Sequence, residues 1–394
     1  MEEAELRIEA VRRRLAGESA QSIATRLGRS SRWVRKWTAR HAEEAASEET
    51  WAQGHSRAPL GCPTRTDEQV RRLIVEVRQR LTANPRSQYG ALAIAWELRK
   101  LGVDPVPGPW TINRVIAAAG LARPRRRVQG YQSRGVPYPQ VPAQVQDLHQ
   151  VDMIGPRHLE GAVRFSALNL VDVGSHSAGS VILPGPRPPL MAKALVEVWQ
   201  RVGIPVRCQM DNHSTFRGGI PPHAHLFGPV VATCLDLDVV PRFIPLREPW
   251  RNGVVEHFND VWDKSFYRTA RFGSIDELTR ENAAFEAFHN REHRYSAHRG
   301  KSPDEMTAGL HIQIPASGYQ PPGSLPRRGR IEVVRFIRSD QRLDLFGKKI
   351  TLDAAHAYSY VTAIIRPRSQ TLTVITVHGE IVHESKFPVA TQLR

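Results

Sequence analysis

The chain of 394 residues carries a formal net charge of +16 and a pI near 10.4. It has no apolar run long enough to span a membrane and no apolar export signal in residues 1–30. Its three scattered cysteines, Cys62, Cys208 and Cys234, exclude a disulfide framework. This points to a cytoplasmic protein of about two to four domains with a polyanionic partner, nucleic acid rather than membrane, because the basic segments lack a broad apolar face.

Residues 1–42 read as a helix-turn-helix. The second helical pattern is marked by Ala20, Ile23, Ala24 and Leu27 and stops at Gly28, and the third begins at Ser30-Ser31. Along that third helix Val34 and Trp37 face inward, while Arg32, Arg35, Lys36 and Arg40 face outward, as in a recognition helix entering a DNA major groove. A small helical bundle with solvated arginines is the bland alternative. Residues 41–63 lose the periodicity and read as a linker.

A second helix-turn-helix-like module is expected over 64–124, from stripes at Val70, Leu73, Ile74 and Val77, at Leu92, Ile94, Ala95 and Leu98, and at Ile112, Val115 and Ile116. Its third helix is expected after Pro109-Trp110 with Thr111 as cap, leaving Asn113, Arg114 and Trp110 to contact DNA. Residues 125–145 form a basic linker in which Arg125, Arg126 and Arg127, just after Arg123, follow phosphates or serve as a solubilising tether.

From 146 to 312 the pattern is α/β. Strands are expected over 148–154, 165–173 and 177–183, a helix over 190–202, short strands at 206–210 and 238–243, and helices around Glu256 and over 275–292. After a Pro/Gly/Arg stretch, residues 328–390 read as five or six short strands, a small β-barrel or sandwich. Its Arg335, Arg338, Arg342, Arg366 and Arg368 suit a phosphate-binding surface. The fold class is thus multidomain: all-α modules, an α/β core and a C-terminal small β-barrel.

Three acids stand out in the core. Asp152 interrupts an apolar strand, Asp211 ends another, and Glu256 lies about one turn inside an amphipathic helix that follows Pro249 and Asn252-Gly253. Aspartate is disfavoured inside strands, and three carboxylates brought together make an oxygen-rich site of the kind magnesium prefers.

The set Val151-Asp152, Asp211-Asn212 and Pro249 through Asn252-Gly253 to Glu256, with the His/Arg-rich run from Phe288 to Ser302-Pro303, resembles the DDE transposases of bacterial insertion sequences and retroviral-type integrases. The resemblance implies an RNase H-like integrase catalytic core and a Mg²⁺-dependent polynucleotidyl transferase, with Mn²⁺ able to substitute. Asp152, Asp211 and Glu256 would be both catalytic residues and metal ligands. It further implies double-stranded DNA as partner, both element ends and target, a homodimer or higher oligomer on that DNA, and a nucleoid-associated location. Water would attack at the element end, and the freed 3′-hydroxyl would then attack target DNA.

Two features depart from the family. The interval from Asp211 to Glu256, 256 − 211 = 45 positions, is long, and Glu248 fits the usual spacing better; Glu256 is chosen for its helical setting. His213 stands where the family has glycine. Asp172 reads as a structural strand aspartate, with support of the site or metal ligation beside Asp152 as the lesser alternative. Cys208, His213, His223, His225 and Cys234 have zinc-ligand chemistry without a Cys-x-x-Cys pair. The alternative functions are a DNA-binding regulator or domesticated element protein with a non-catalytic core, and a general nuclease.

Overall fold

The structure, a computed structural model, describes residues 3–44, 50–53, 66–123, 134–159, 163–218 and 226–393. It divides into two compact units, Met1–Arg65 and Thr66–Arg394. In the first, α1 (Glu3–Leu15), α2 (Ala20–Leu27) and α3 (Ser31–Glu44) are followed by a 3-10 turn at Thr50–Ala52. Ser19 caps α2 by accepting from the Ser22 amide, and Gly28 ends it in the left-handed conformation at φ +62. Ala10, Ile23, Ala24 and Val34 make one small core and Val11, Trp37, Trp51 and Ala52 another. Arg7 lies over the Trp37 ring at 4.1 Å and donates to the Ala52 carbonyl at 2.9 Å, tying the 3-10 turn to the first helix.

The second unit opens with α4 (Glu68–Ala83), α5 (Ala91–Lys100) and α6 (Pro109–Ala118) around Ile74, Val77, Ile94, Leu98, Ile112 and Ile116. Gly108, not Thr111, is the N-cap of α6, with Pro109 in the first turn; proline has no N–H to leave orphaned and its fixed φ suits helix entry. Of the expected basic linker, Arg125, Arg126 and Arg127 lie outside the described residues. The part from Arg134 onward is packed, not free: the Pro139 carbonyl accepts from Arg242 at 2.8 Å, and Tyr138 stacks edge-on against Tyr360.

The core strands are β1 (Leu148–His158), β2 (Arg164–Asp172), β3 (Ala178–Leu183), β4 (Arg207–Met210) and β5 (Val240–Phe243). They lie in the order β5-β4-β1-β2-β3. β1, β2 and β3 pair antiparallel, whereas β1, β4 and β5 run parallel. This is the layout expected of an RNase H-like core. Helices α7 (Pro188–Val202) and α9 (Pro229–Asp236) cover one face; α10 (Gly253–Ser265) and α11 (Ile275–Glu292) cover the other. Because β2 is buried on both faces its apolar residues alternate between two cores: Leu168 and Leu170 join the α7 side, and Phe165, Ala167 and Val171 the α10–α11 side. The short helices α8 (Ser214–Arg217) and α12 (Pro303–Thr307) complete the helical elements.

The C-terminal strands do not form the expected separate barrel. β6 (Ile331–Phe336), β9 (Tyr360–Arg366), β10 (Thr371–Thr376) and β11 (Ile381–Lys386) extend the core sheet to nine strands, in the order β11-β10-β9-β6-β5. β7 (Arg342–Leu345) and β8 (Lys348–Thr351) make a separate hairpin. β6 docks parallel to β5 through Arg242↔Glu332 and Phe243↔Val333. A β5 edge left open would carry unpaired amides and carbonyls. The buried Arg242 donates to Glu332 at 2.6 Å and fixes the register.

Candidate active site

Asp152 and Asp211 come together through strand phase. The β1–β4 register pairs Gln150 with Gln209, and continuing it by two residues sets Asp152 opposite Asp211, one strand spacing or roughly 4.8 Å away in the backbone. Val151, Cys208 and Met210 point into the α7 core, so Gln150, Asp152, Gln209 and Asp211 share the opposite face, the one beneath α10. Glu256 lies in the first full turn of α10.

Asp152 sits within electrostatic reach of the other two acids. The Asp152 carboxyl is pushed up to about 6, first by burial and then by the charges of Asp211 and Glu256, against hydrogen bonds from the Met153 amide and Asn259 that favour the charged form. Burial also raises Glu256. Two half-buried acids held above their ordinary range beside a third are a site that gains from a cation.

Residues that sequence reasoning missed hold this arrangement. Gln150 accepts from the Val254 amide at 2.9 Å and from the Val255 amide at 3.2 Å, two N–H groups that α10 cannot satisfy internally. Gln209 donates to the Arg251 carbonyl at 2.8 Å, and Asn252 donates to the Val151 carbonyl at 2.9 Å. The strands that carry the aspartates thus grip the start of the helix that carries the glutamate. Asn259, one turn beyond Glu256, donates to Asp152 Oδ2 at 2.8 Å and accepts from Asn169 at 2.9 Å. The signals were present: each glutamine is two residues before an aspartate on one strand face, and Asn259 is three beyond Glu256 on one helix face.

Glu248 plays another part. It is 1% exposed and accepts from the Tyr360 hydroxyl at 2.8 and 2.9 Å, from Arg251 at 3.1 Å and from Arg134 at 3.2 Å. It anchors the approach loop to β9. Asn212 donates to the Ile244 carbonyl and accepts from Arg335 at 2.8 Å, while His213 caps the Thr215 amide, which accounts for a histidine at that turn. Asp172 is occupied by the β2–β3 turn, accepting from the amide and hydroxyl of Ser175. Cys208 and Cys234 are buried free thiols, and His223 and His225 lie outside the described residues.

Among the described residues no three His, Cys, Asp or Glu side chains stand close enough to close on one ion. Zinc would demand such a closed shell. Magnesium uses one or two carboxylates and keeps several waters, so an Asp152 set beside Asp211 by strand register and within electrostatic reach of Glu256 fits it.

The basic residues fall as follows. On α3, Arg32, Arg35 and Lys36 are exposed and Val34 and Trp37 buried, whereas Arg40, expected to face out, is half-buried and lies over Trp37. On α6, Asn113 and Arg114 are exposed, and Trp110 is 71% exposed with Arg114 across its ring. Arg335 cannot meet phosphate: it is buried, donates to the carbonyls of Asp344, Ile244 and Val334, and is pushed down to about 9 by burial.

Residues 1–47 match the homeodomain-like domain family. No curated protein matches the chain. Among solved structures, the chain is similar to the HTLV-2 integrase catalytic core domain in complex with magnesium, with TM-score 0.32 and 13% identity over 41% of this chain and 97% of that one. It is similar to the catalytic core of BIV integrase, with TM-score 0.30 and 16% identity over 41% and 93%. Similarity to the simian T-cell lymphotropic virus intasome in complex with PP2A regulatory subunit B56 gamma has TM-score 0.38 and 12% identity over 77% and 96%. The strand order, not these scores, carries the fold assignment. Among the described residues no helix is long and apolar enough to cross a membrane.

Proposed function

We propose that the chain is a DDE-type transposase of the bacterial insertion-sequence kind, cutting DNA at element ends and joining them to target DNA. The observation that carries the reading is the convergence of Asp152 and Asp211, side by side on two parallel strands, with Glu256 in the first turn of a helix clamped to those strands. These three residues are proposed as catalytic and as the holders of Mg²⁺, with Mn²⁺ as substitute. Bound there, divalent ions supply activation of the attacking oxygen and charge stabilisation of the leaving one.

The chain's own residues orient that site. Asn259 fixes one Asp152 oxygen, and Gln150 sets the start of α10 and with it the height of Glu256 above the sheet. Arg32, Arg35 and Lys36 of α3 and Asn113 and Arg114 of α6 are assigned to the element ends, and Arg125, Arg126 and Arg127 to phosphates. The proposed domains are 1–42 and 64–124 for DNA binding, 125–145 as connection and 146–312 for catalysis. Joining two ends requires at least a dimer on double-stranded DNA, in a nucleoid-associated location.

The test is nicking of DNA that carries candidate inverted repeats, with and without Mg²⁺. Metal-dependent cuts at the repeat ends are expected. Binding without cutting would favour a DNA-binding regulator, and cutting that ignores the ends a general nuclease.

A further inference from the structure

The parallel strands β4, β5 and β6 end on one edge of the sheet, so Asp211, the loop 244–248 and the turn 336–338 stand side by side. Next to the last two lies a cleft of about 330 Å³ whose walls include Arg134, Arg247, Arg338, Arg342 and Lys349. Its three acids hold hydrogen bonds of their own while keeping their charge. Glu248 is clamped by Tyr360, Arg251 and Arg134, Asp340 accepts from the Arg342 amide at 3.3 Å, and Asp344 accepts from the Gly347 amide at 2.9 Å.

Four of the cations are not engaged. Arg247, Arg338, Arg342 and Lys349 are exposed and have no side-chain hydrogen bond or ion pair among the described residues. Arg247 is also held at φ +60, a conformation costly for any residue with a side chain. With Arg134 and Arg335 the wall carries six cations against the three carboxylates Glu248, Asp340 and Asp344, a net 6 − 3 = +3, and that excess around a concave wall focuses a positive field into the cleft. That field suits a polyanion threaded through it.

We propose that this cleft holds the phosphodiester backbone of the DNA strand being processed, a few nucleotides from the bond that is cut. Two strand spacings separate β4 from β6, roughly 10 Å, and a strand rising 3.4 Å per nucleotide covers that in roughly three nucleotides. Arg335 joins the two places, lying beneath the cleft and donating to Asn212, the neighbour of Asp211. The identity of the strand rests on the function proposed above; the affinity of the cleft for a phosphate backbone does not.

The experiment uses the full chain and a random-sequence duplex. Changing Arg338→Ala and Lys349→Ala together is expected to flatten the dependence of log affinity on log salt by about two, one per lost phosphate contact. Lys193→Ala, an exposed cation on α7, is expected to leave it alone. An unchanged slope in the double variant would overturn the proposal. Arg338→Cys is then offered duplexes with thiol tethers on successive phosphates, and cross-linking is expected to peak about three nucleotides from the cut end. Uniform cross-linking, or its abolition by inorganic phosphate at matched phosphate concentration, would overturn it too, the latter by pointing to a single-anion site. A flattened slope in a protein that never nicks DNA would uphold the cleft and sink the transposase reading instead.

Discussion

Glu256 and Glu248 differ by eight positions in the sequence and by everything in their surroundings. Glu256 is half-buried beside two acids, and Glu248 is sealed among three donors. Glu256→Gln keeps size and helix propensity while removing charge, so folding and DNA binding should persist and metal-dependent cleavage should fall by about a hundredfold or more. Glu248→Gln should do the reverse, lowering stability by about 1–3 kcal/mol through two weakened charged contacts. Cleavage per folded molecule should stay within a few-fold, as thermal melts paired with active-fraction measurements would reveal. Asp152 adds a pH signature. Its folded value of about 6 lies above the ordinary 3.8, so the metal-free fold binds its proton more tightly than the unfolded chain does. That acid therefore costs the fold nothing well below the ordinary value of 3.8 and up to about 3 kcal/mol above pH 6. Asp152→Asn should raise the melting temperature at pH 7.5 without divalent ions, and the gain should shrink as pH falls through that window; a gain equal at both ends would remove the electrostatic account. The helical setting of Glu256 was legible from apolar spacing alone. The burial of Glu248 was not, because its hydroxyl donor Tyr360 comes 112 residues later.

At the scale of elements, α10 is only as well placed as its first turn. A helix entering from a 3-10 turn with no side-chain cap of its own leaves amides exposed, and Gln150 reaches across from β1 to take two of them. Gln150→Ala should cost about 1–2 kcal/mol, the usual loss for a helix cap. It should lower kcat for cleavage more than it raises KM for DNA, since it shifts Glu256 without touching the bound duplex. A variant that melts earlier yet cleaves normally would show the clamp to be merely structural. Periodicity exposed the strands and helices of the core because each buries one stripe or both faces, as in β2 and α10. It could not reveal the cross-element hydrogen bonds, which link residues about a hundred positions apart. Nor could it reveal the fate of β6: short, turn-separated strands read alike whether they close on themselves or add to an open edge.

For the whole molecule, the two units make opposite predictions about removal. Residues 1–53 close their own core with Ile23, Val34, Trp37 and Trp51, so that fragment should fold alone and bind DNA. Arg35→Ala and Lys36→Ala should each reduce its salt slope by about one. Residues 66–327, a seemingly complete core if the last strands were a separate barrel, should not fold. Cutting before β6 strips the edge of β5 and leaves Arg242, 2% exposed, without Glu332. It also removes Tyr360 from Glu248 and Arg335 from Asn212. One buried charge deprived of its partner costs about 3–5 kcal/mol, and a whole domain is stable by only about 5–15. That loss, with Glu248 short of its hydroxyl donor and the apolar residues Ile331, Val333 and Ile337 gone from the shared core, consumes most of that margin. The fragment should therefore be insoluble or show no cooperative thermal transition, whereas 66–394 should melt in one step. A dispersed NMR spectrum and sharp transition from 66–327 would mean that β6–β11 is an appendage after all, and that Asp211 is held without help from the C-terminal strands.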